Sequence, residues 1–135
     1  MDLNNGIEGL EAARARVSQQ IAAAEARKDA VHRLADEVQT VSATARSPRG
    51  EVSATASAGG RVTSVVISEG GVSLGASALS ALVTETVIAA QHRAASEAVA
   101  RSAEILGDGS PVVARLRADA AVAFPAPASG SIEFK

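Results

Sequence analysis

The stretch that decides the fold is Glu51-Val52-Ser53-Ala54-Thr55-Ala56-Ser57-Ala58, then Gly59-Gly60, then Arg61-Val62-Thr63-Ser64-Val65-Val66-Ile67-Ser68. Its first part alternates small apolar residues with polar ones, the period of a strand with one buried face. Gly59-Gly60 reads as a two-residue hairpin connection. The last part is the most β-branched run of the chain, a composition that suits a pleated surface. Just upstream, Val41-Ser42-Ala43-Thr44-Ala45-Arg46 alternates as well, and Ser47-Pro48-Arg49-Gly50 carries strong turn punctuation. The spacing predicts three strands in an antiparallel meander. The face carrying Val52, Ala54 and Ala56 is small and flat, suited to close approach of another layer. A lone sheet of this size is unstable in water unless something packs on it.

Helical periodicity flanks the meander on both sides. From Leu3 to Val41, apolar residues recur every seven positions at Leu3, Leu10, Val17, Ala24, Val31 and Val38. A second set holds Ile7, Ile21 and Ala35 and is interrupted by Arg14 and Lys28. Leu34 and Val41 extend the stripe. This is a narrow seam on a long helix, the spacing of a coiled-coil arm. At 1.5 Å per residue, thirty-odd ordered residues make an arm of roughly 45–50 Å. Gly6 and Gly9 weaken its first turns, so ordered helix is expected to begin nearer Leu10. Beyond the sheet, Glu69-Gly70-Gly71-Val72 is expected to close the strand. A second long helix is expected from about Ser77, which can cap it, to Leu106. Its apolar set is Leu79, Leu82, Val83, Thr86, Val87, Ala90, Ala94, Ala98 and Ile105. From Ala89 to Ala103 it is nearly all alanine and serine, which suits close approach of two helices. Gly107-Asp108-Gly109 with Pro111 beyond ends it. Residues 112–123 read as weak helix and Phe124 to Ser131 as disordered. The expected organisation is a domain over residues 1–107 and a C-terminal extension over 108–135.

Composition narrows the function. Alanine supplies 31 of the 135 residues, so a hydrophobic fraction of 47% overstates the apolar area available for burial. A core of alanines buries little area per residue, and a small monomer built this way is marginal. The chain is therefore expected to complete its core by pairing with a second copy. Cysteine is absent, which excludes disulfides and thiolate metal sites. Two phenylalanines are the whole of the Phe, Tyr and Trp content, so no stacking platform for single strands is available. The net charge of −2 gives no overall basic balance toward nucleic acid or an anionic membrane. The opening Met1-Asp2-Leu3-Asn4-Asn5 is unlike a signal peptide, and no run of roughly 18 apolar residues occurs. The expected location is the cytoplasm, with no membrane association.

The order helix, three-stranded meander, helix, with these turns, resembles the YbaB/EbfC family of bacterial nucleoid-associated proteins. The residues that carry the resemblance are the Ser47-Pro48-x-Gly50 turn before an alternating strand, Gly59-Gly60 before Arg61-Val62-x-x-Val65-x-Ile67, and Leu79-x-x-Leu82-Val83 followed by Ala89-Ala90 and Ala94-Ala95. They span roughly residues 3–107, and the alanine, valine and arginine bias looks like that of an actinobacterial member. The resemblance implies an α+β fold and an intertwined, tweezer-like homodimer. It also implies binding to double-stranded DNA with little sequence preference, and association with the nucleoid. The chain departs from the family's pattern in being acidic overall and in carrying alanine and arginine where a methionine- and lysine-rich first helix is typical. Some actinobacterial relatives of this fold are associated with type VII secretion loci. The alternative reading is therefore a protein-interaction adaptor that engages a partner through its arms or tail.

Local charge places the candidate DNA contacts. Residues 46–70 carry Arg46, Arg49 and Arg61 against Glu51 and Glu69, a net +1, whereas residues 1–45 carry five cations against seven anions. Arg14, Arg16, Arg27 and Lys28, with Arg33, lie on the first arm. Arg14 and Lys28 fall on its seam side, where they either face phosphates or lay their stems along the seam with the charges in water. Backbone contact through such groups is electrostatic and weakens with salt. No base-reading element is visible. His32 has Asp29 and Asp36 on its helical face, a pattern more often solvated than metal-binding. His92 has no acidic partner at i±4. No nucleophile elbow, phosphate loop or cofactor motif occurs. The sequence thus points to no enzyme, no cofactor and no metal.

Overall fold

A computed structural model describes residues 3–128 and 133–134. The chain divides into two units, Met1–Arg33 and Leu34–Lys135. The first is helical throughout its described residues. Helix α1 runs Leu3–Gln39 and enters the second unit with its last residues. It starts at Leu3 rather than near Leu10, passing through Gly6 and Gly9. Each glycine lowers helix propensity by about 1 kcal/mol relative to alanine, but the Ala-, Glu- and Arg-rich turns that follow propagate the helix across both. Every side chain from residue 5 to residue 29 is exposed.

In the second unit α1 ends where the Thr40 hydroxyl donates to the Glu37 carbonyl at 2.8 Å. Strands β1 (Ser42–Arg46), β2 (Val52–Ser57) and β3 (Val62–Ile67) follow as an antiparallel meander. Registry places Ala43 opposite Ala56 and Ala45 opposite Ala54, and all four are buried. On the other face the Thr44 and Thr55 hydroxyls meet at 2.8 Å. Ser47 ties the first turn: its Oγ accepts the Val52 N–H at 3.0 Å and its own N–H donates to the Val52 carbonyl at 2.9 Å.

The second connection is one residue longer than Gly59-Gly60 suggests. Ser57 N–H donates to the Arg61 carbonyl and Gly60 N–H to the Ser57 carbonyl, so the loop comprises residues 58–60. Gly60 takes φ +86 there, and the register slips between Thr55 and Ala56. A three-residue loop closed by a left-handed glycine joins the strands through a bulge, an outcome that dipeptide composition alone does not distinguish from the shorter turn.

Glu69-Gly70-Gly71-Val72 does more than leave the sheet. It forms the helical turn α2 (Glu69–Val72), because the Ser68 side chain accepts the Gly71 N–H and caps it. Gly71 is buried, and a Cβ there would meet the Glu51 carbonyl oxygen at 2.7 Å. Helix α3 runs Ala76–Leu106. Its N-cap is Gly75 at φ 87 with no side-chain cap, so Ser77 sits inside the first turn instead of capping it.

Helix α3 lies across β1 and β2. Ala89, Ala90 and Ala94 pack on Ala43, Ala45, Ala54 and Ala56, with Val87 at the margin. The alanine face thus approaches the sheet, where the opposing surface is also methyl-sized, more than it serves the helix pairing expected of it. Gly107 terminates α3 as expected. Helix α4 (Pro111–Ala123) then folds back on α3, started by proline in its first turn and by the Ser110 side chain accepting the Val112 N–H. Its Val113 is fully buried. Of the tail read as disordered, residues 129–131 lie outside the described residues. Glu133–Phe134 form strand β4, antiparallel to β1, giving the order β3-β2-β1-β4.

Candidate nucleic-acid interface

The cations expected to meet phosphate fall in separate places. Arg14, Arg16, Arg27 and Lys28 are exposed on α1, in the first unit. Arg46 ends β1 opposite Ser53, and its guanidinium lies over Gly50, with Nη2 2.8 Å from where a Cβ would stand. Arg49 is exposed in the same turn. Arg61 follows the loop at the other end of the sheet. Six residues of β2 separate the two ends, roughly 20 Å of strand. One chain therefore brings Arg46 and Arg49 together and sets Arg61 apart from them.

Other arginines of the second unit are held against carboxylates. Arg93 Nε lies 3.2 Å from Glu97, Arg101 Nη1 3.4 Å from Glu37 and Arg115 Nε 3.3 Å from Asp119. Exposed pairs of this kind contribute little to stability, but they cancel local charge. Among the described side chains no carboxylate stands within salt-bridge range of Arg46, Arg49 or Arg61. Arg46, Arg49 and Arg61 at the two ends of the sheet, with Arg117 on α4, are thus the arginines of the second unit outside these ion pairs.

A junction behind Arg61 is invisible in sequence. Gln91 Nε2 donates to the Gly60 carbonyl at 2.8 Å. His92 Nδ1 lies 2.9 Å from the Phe124 carbonyl oxygen, and a carbonyl only accepts, so Nδ1 carries the proton. The Phe124 ring covers Gly60, where a Cβ would overlap it. These contacts separate Gln91 and His92 from their partners by more than thirty residues of chain, so no local pattern announces them. Between α3 and α4 a groove of about 370 Å³ is lined by His92, Ser96, Val99, Arg117 and Phe124 with alanines. Among the described residues no three His, Asp or Glu side chains converge as a metal site.

The sheet also leaves an apolar edge open. Val62, Val65 and Ile67 of β3 are in register with Ala56, Ala54 and Val52, the residues buried under α3. They lie on the same face yet remain 37–42% exposed. Val72 and Leu74, in and just after α2, are exposed as well.

Compared with known families, residues 14–109 match the YbaB/EbfC DNA-binding family. The chain belongs to that family. The match spans most of the chain and includes the whole meander and α3. YbaB/EbfC is a nucleoid-associated DNA-binding family and not a family of enzymes. Its helix–sheet–helix architecture is the one described above, whereas all of α4 and β4 lie beyond the matched residues. Searches of curated proteins and of solved structures found no match. Among the described residues no helix is long and apolar enough to cross a membrane.

Proposed function

We propose that this YbaB/EbfC protein acts as a homodimer that binds duplex DNA in the nucleoid through backbone contacts, with little sequence preference. The observation that carries the proposal is β3, an edge strand with an exposed apolar face and arginines at both ends of its sheet. A second copy covering Val62, Val65 and Ile67 completes the thin alanine core. It also doubles Arg46, Arg49 and Arg61 on one body. Arg16 and Arg27 on the arms add further cations. Guanidinium groups form forked bonds to phosphate oxygens. No element here has the shape of a base reader, so the contacts position the duplex without selecting sequence.

Mobility-shift titrations with unrelated duplexes at low and moderate salt test the DNA reading. Comparable affinity for each duplex, falling steeply with salt, supports it; no binding at micromolar protein in low salt removes it. Sedimentation of the free protein tests the dimer, which a stable folded monomer at micromolar concentration would contradict. A second reading is favoured by the net charge of −2 and by the folded extension beyond the family match. In it the same dimer is an adaptor for a protein partner. A partner that stays bound after nuclease digestion supports this reading, and loss of all partners on digestion counts against it.

A further inference from the structure

Helix α1 carries an unpartnered seam with a particular charge pattern. Ile7, Leu10, Val17, Ile21 and Val31 keep 52–57% of their surface exposed in the single chain. In proteins most of a helix's stability comes from packing its apolar face rather than from propensity. Written as heptads, Leu10, Val17, Ala24 and Val31 occupy d, and Ile7, Arg14, Ile21 and Lys28 occupy a. Every second a position is therefore a cation. A parallel, in-register pair would set Arg14 against its own copy and Lys28 against its own copy, and like charges across a core layer repel.

The antiparallel arrangement resolves this pattern. With Val17 facing the second copy's Ile21, the same register sets Ile7 against Val31, Arg14 against Ala24 and Lys28 against Leu10. Glu25 follows Ala24 and Glu11 follows Leu10, both at e, the flank that adjoins a. In an antiparallel pair the e flanks of the two helices face each other. Arg14 then stands beside the second copy's Glu25, and Lys28 beside its Glu11. The two-fold axis repeats both contacts, and small Ala24 leaves room for the arginine stem. Residues 11, 14, 25 and 28 are all exposed in the single chain, so each is available for this role.

We infer that the α1 seam is a self-complementary surface whose occupant is α1 of a second copy, aligned antiparallel about the Val17–Ile21 layer and selected by Arg14–Glu25 and Lys28–Glu11 pairs between chains. This surface is distinct from the β3 edge and stands whether or not DNA is bound. It assigns Arg14 and Lys28 to the seam and leaves phosphate contact to the remaining cations.

The chain contains no cysteine, so single-cysteine variants of the full-length protein report the alignment directly. Under mild oxidation, Val17→Cys and Ile21→Cys mixed together are expected to cross-link at least ten-fold more than either alone, because disulfides need Cα atoms within about 7 Å. Efficient cross-linking of either variant alone, or none in the mixture, overturns the proposal. Charge reversal gives an independent reading that does not depend on thiols. Arg14→Glu/Lys28→Glu and Glu11→Lys/Glu25→Lys should each lose the arm-dependent association by sedimentation, and an equimolar mixture should recover it. A mixture that associates no better than its components overturns the proposal. An association unaffected by either double variant belongs to the β3 edge and equally overturns a role for the seam.

Discussion

At the residue scale two positions carry more than their size suggests. Gly60 combines φ +86 with a Phe124 ring lying where its Cβ would be. Gly60→Ala must strain the backbone and displace the ring, so a loss of about 1–3 kcal/mol is expected in urea unfolding. Ser47 is buried and its Oγ accepts the N–H of Val52, itself fully buried. Ser47→Ala leaves that N–H without its acceptor and should cost about 1–3 kcal/mol, with little effect on folded-state secondary structure by circular dichroism. The two cases differ in legibility. Ser47-Pro48-x-Gly50 announces a turn by composition, whereas the requirement for glycine at Gly60 depends on an aromatic ring sixty-four positions away. The same limit explains His92, which lacks a carboxylate at i±4 and instead donates to a carbonyl of the extension.

At the element scale the strands and both long helices are readable because period and packing agree. Alternation in Val52-Ser53-Ala54-Thr55-Ala56 places every second side chain under α3, and these residues are 0–1% exposed. The joints between elements are less readable. A Gly-Gly dipeptide fits either a two- or a three-residue loop, and Ser68 closes a helical turn only because Gly71 can approach the Glu51 carbonyl. The alanine stripe of α3 suits a helix or a flat sheet equally well, and only the arrangement of layers decides which covers it. Close packing between methyl layers makes a sharp prediction. Ala90→Leu inserts a side chain where the helix and sheet meet with no exposed surface, so overpacking should cost about 1–3 kcal/mol and lower the thermal midpoint. The same substitution at exposed Ala12 should be close to neutral.

At the scale of the whole molecule, function turns on charges that no single element gathers. Arg46 and Arg49 share one end of the sheet and Arg61 the other, so three positions that look clustered in sequence are about a strand length apart. Replacing all three by glutamine should weaken duplex binding and reduce the dependence of log affinity on log salt by about one for each phosphate that is no longer neutralised. A mobility-shift series across salt concentrations measures the change; an unchanged slope transfers the phosphate-binding role to Arg16 and Arg27 on the arm. The sequence by itself determined the helix–meander–helix order, the family and the composition of each buried face, since those follow from local period and turn chemistry. The tertiary structure alone decided that the alanine stripe of α3 covers the sheet, that α4 buries Val113 on α3, that Phe124 seals Gly60, and that β3 keeps its apolar face open. Each of these depends on which surfaces far apart in the chain find matching shapes, and local periodicity carries no information about that choice.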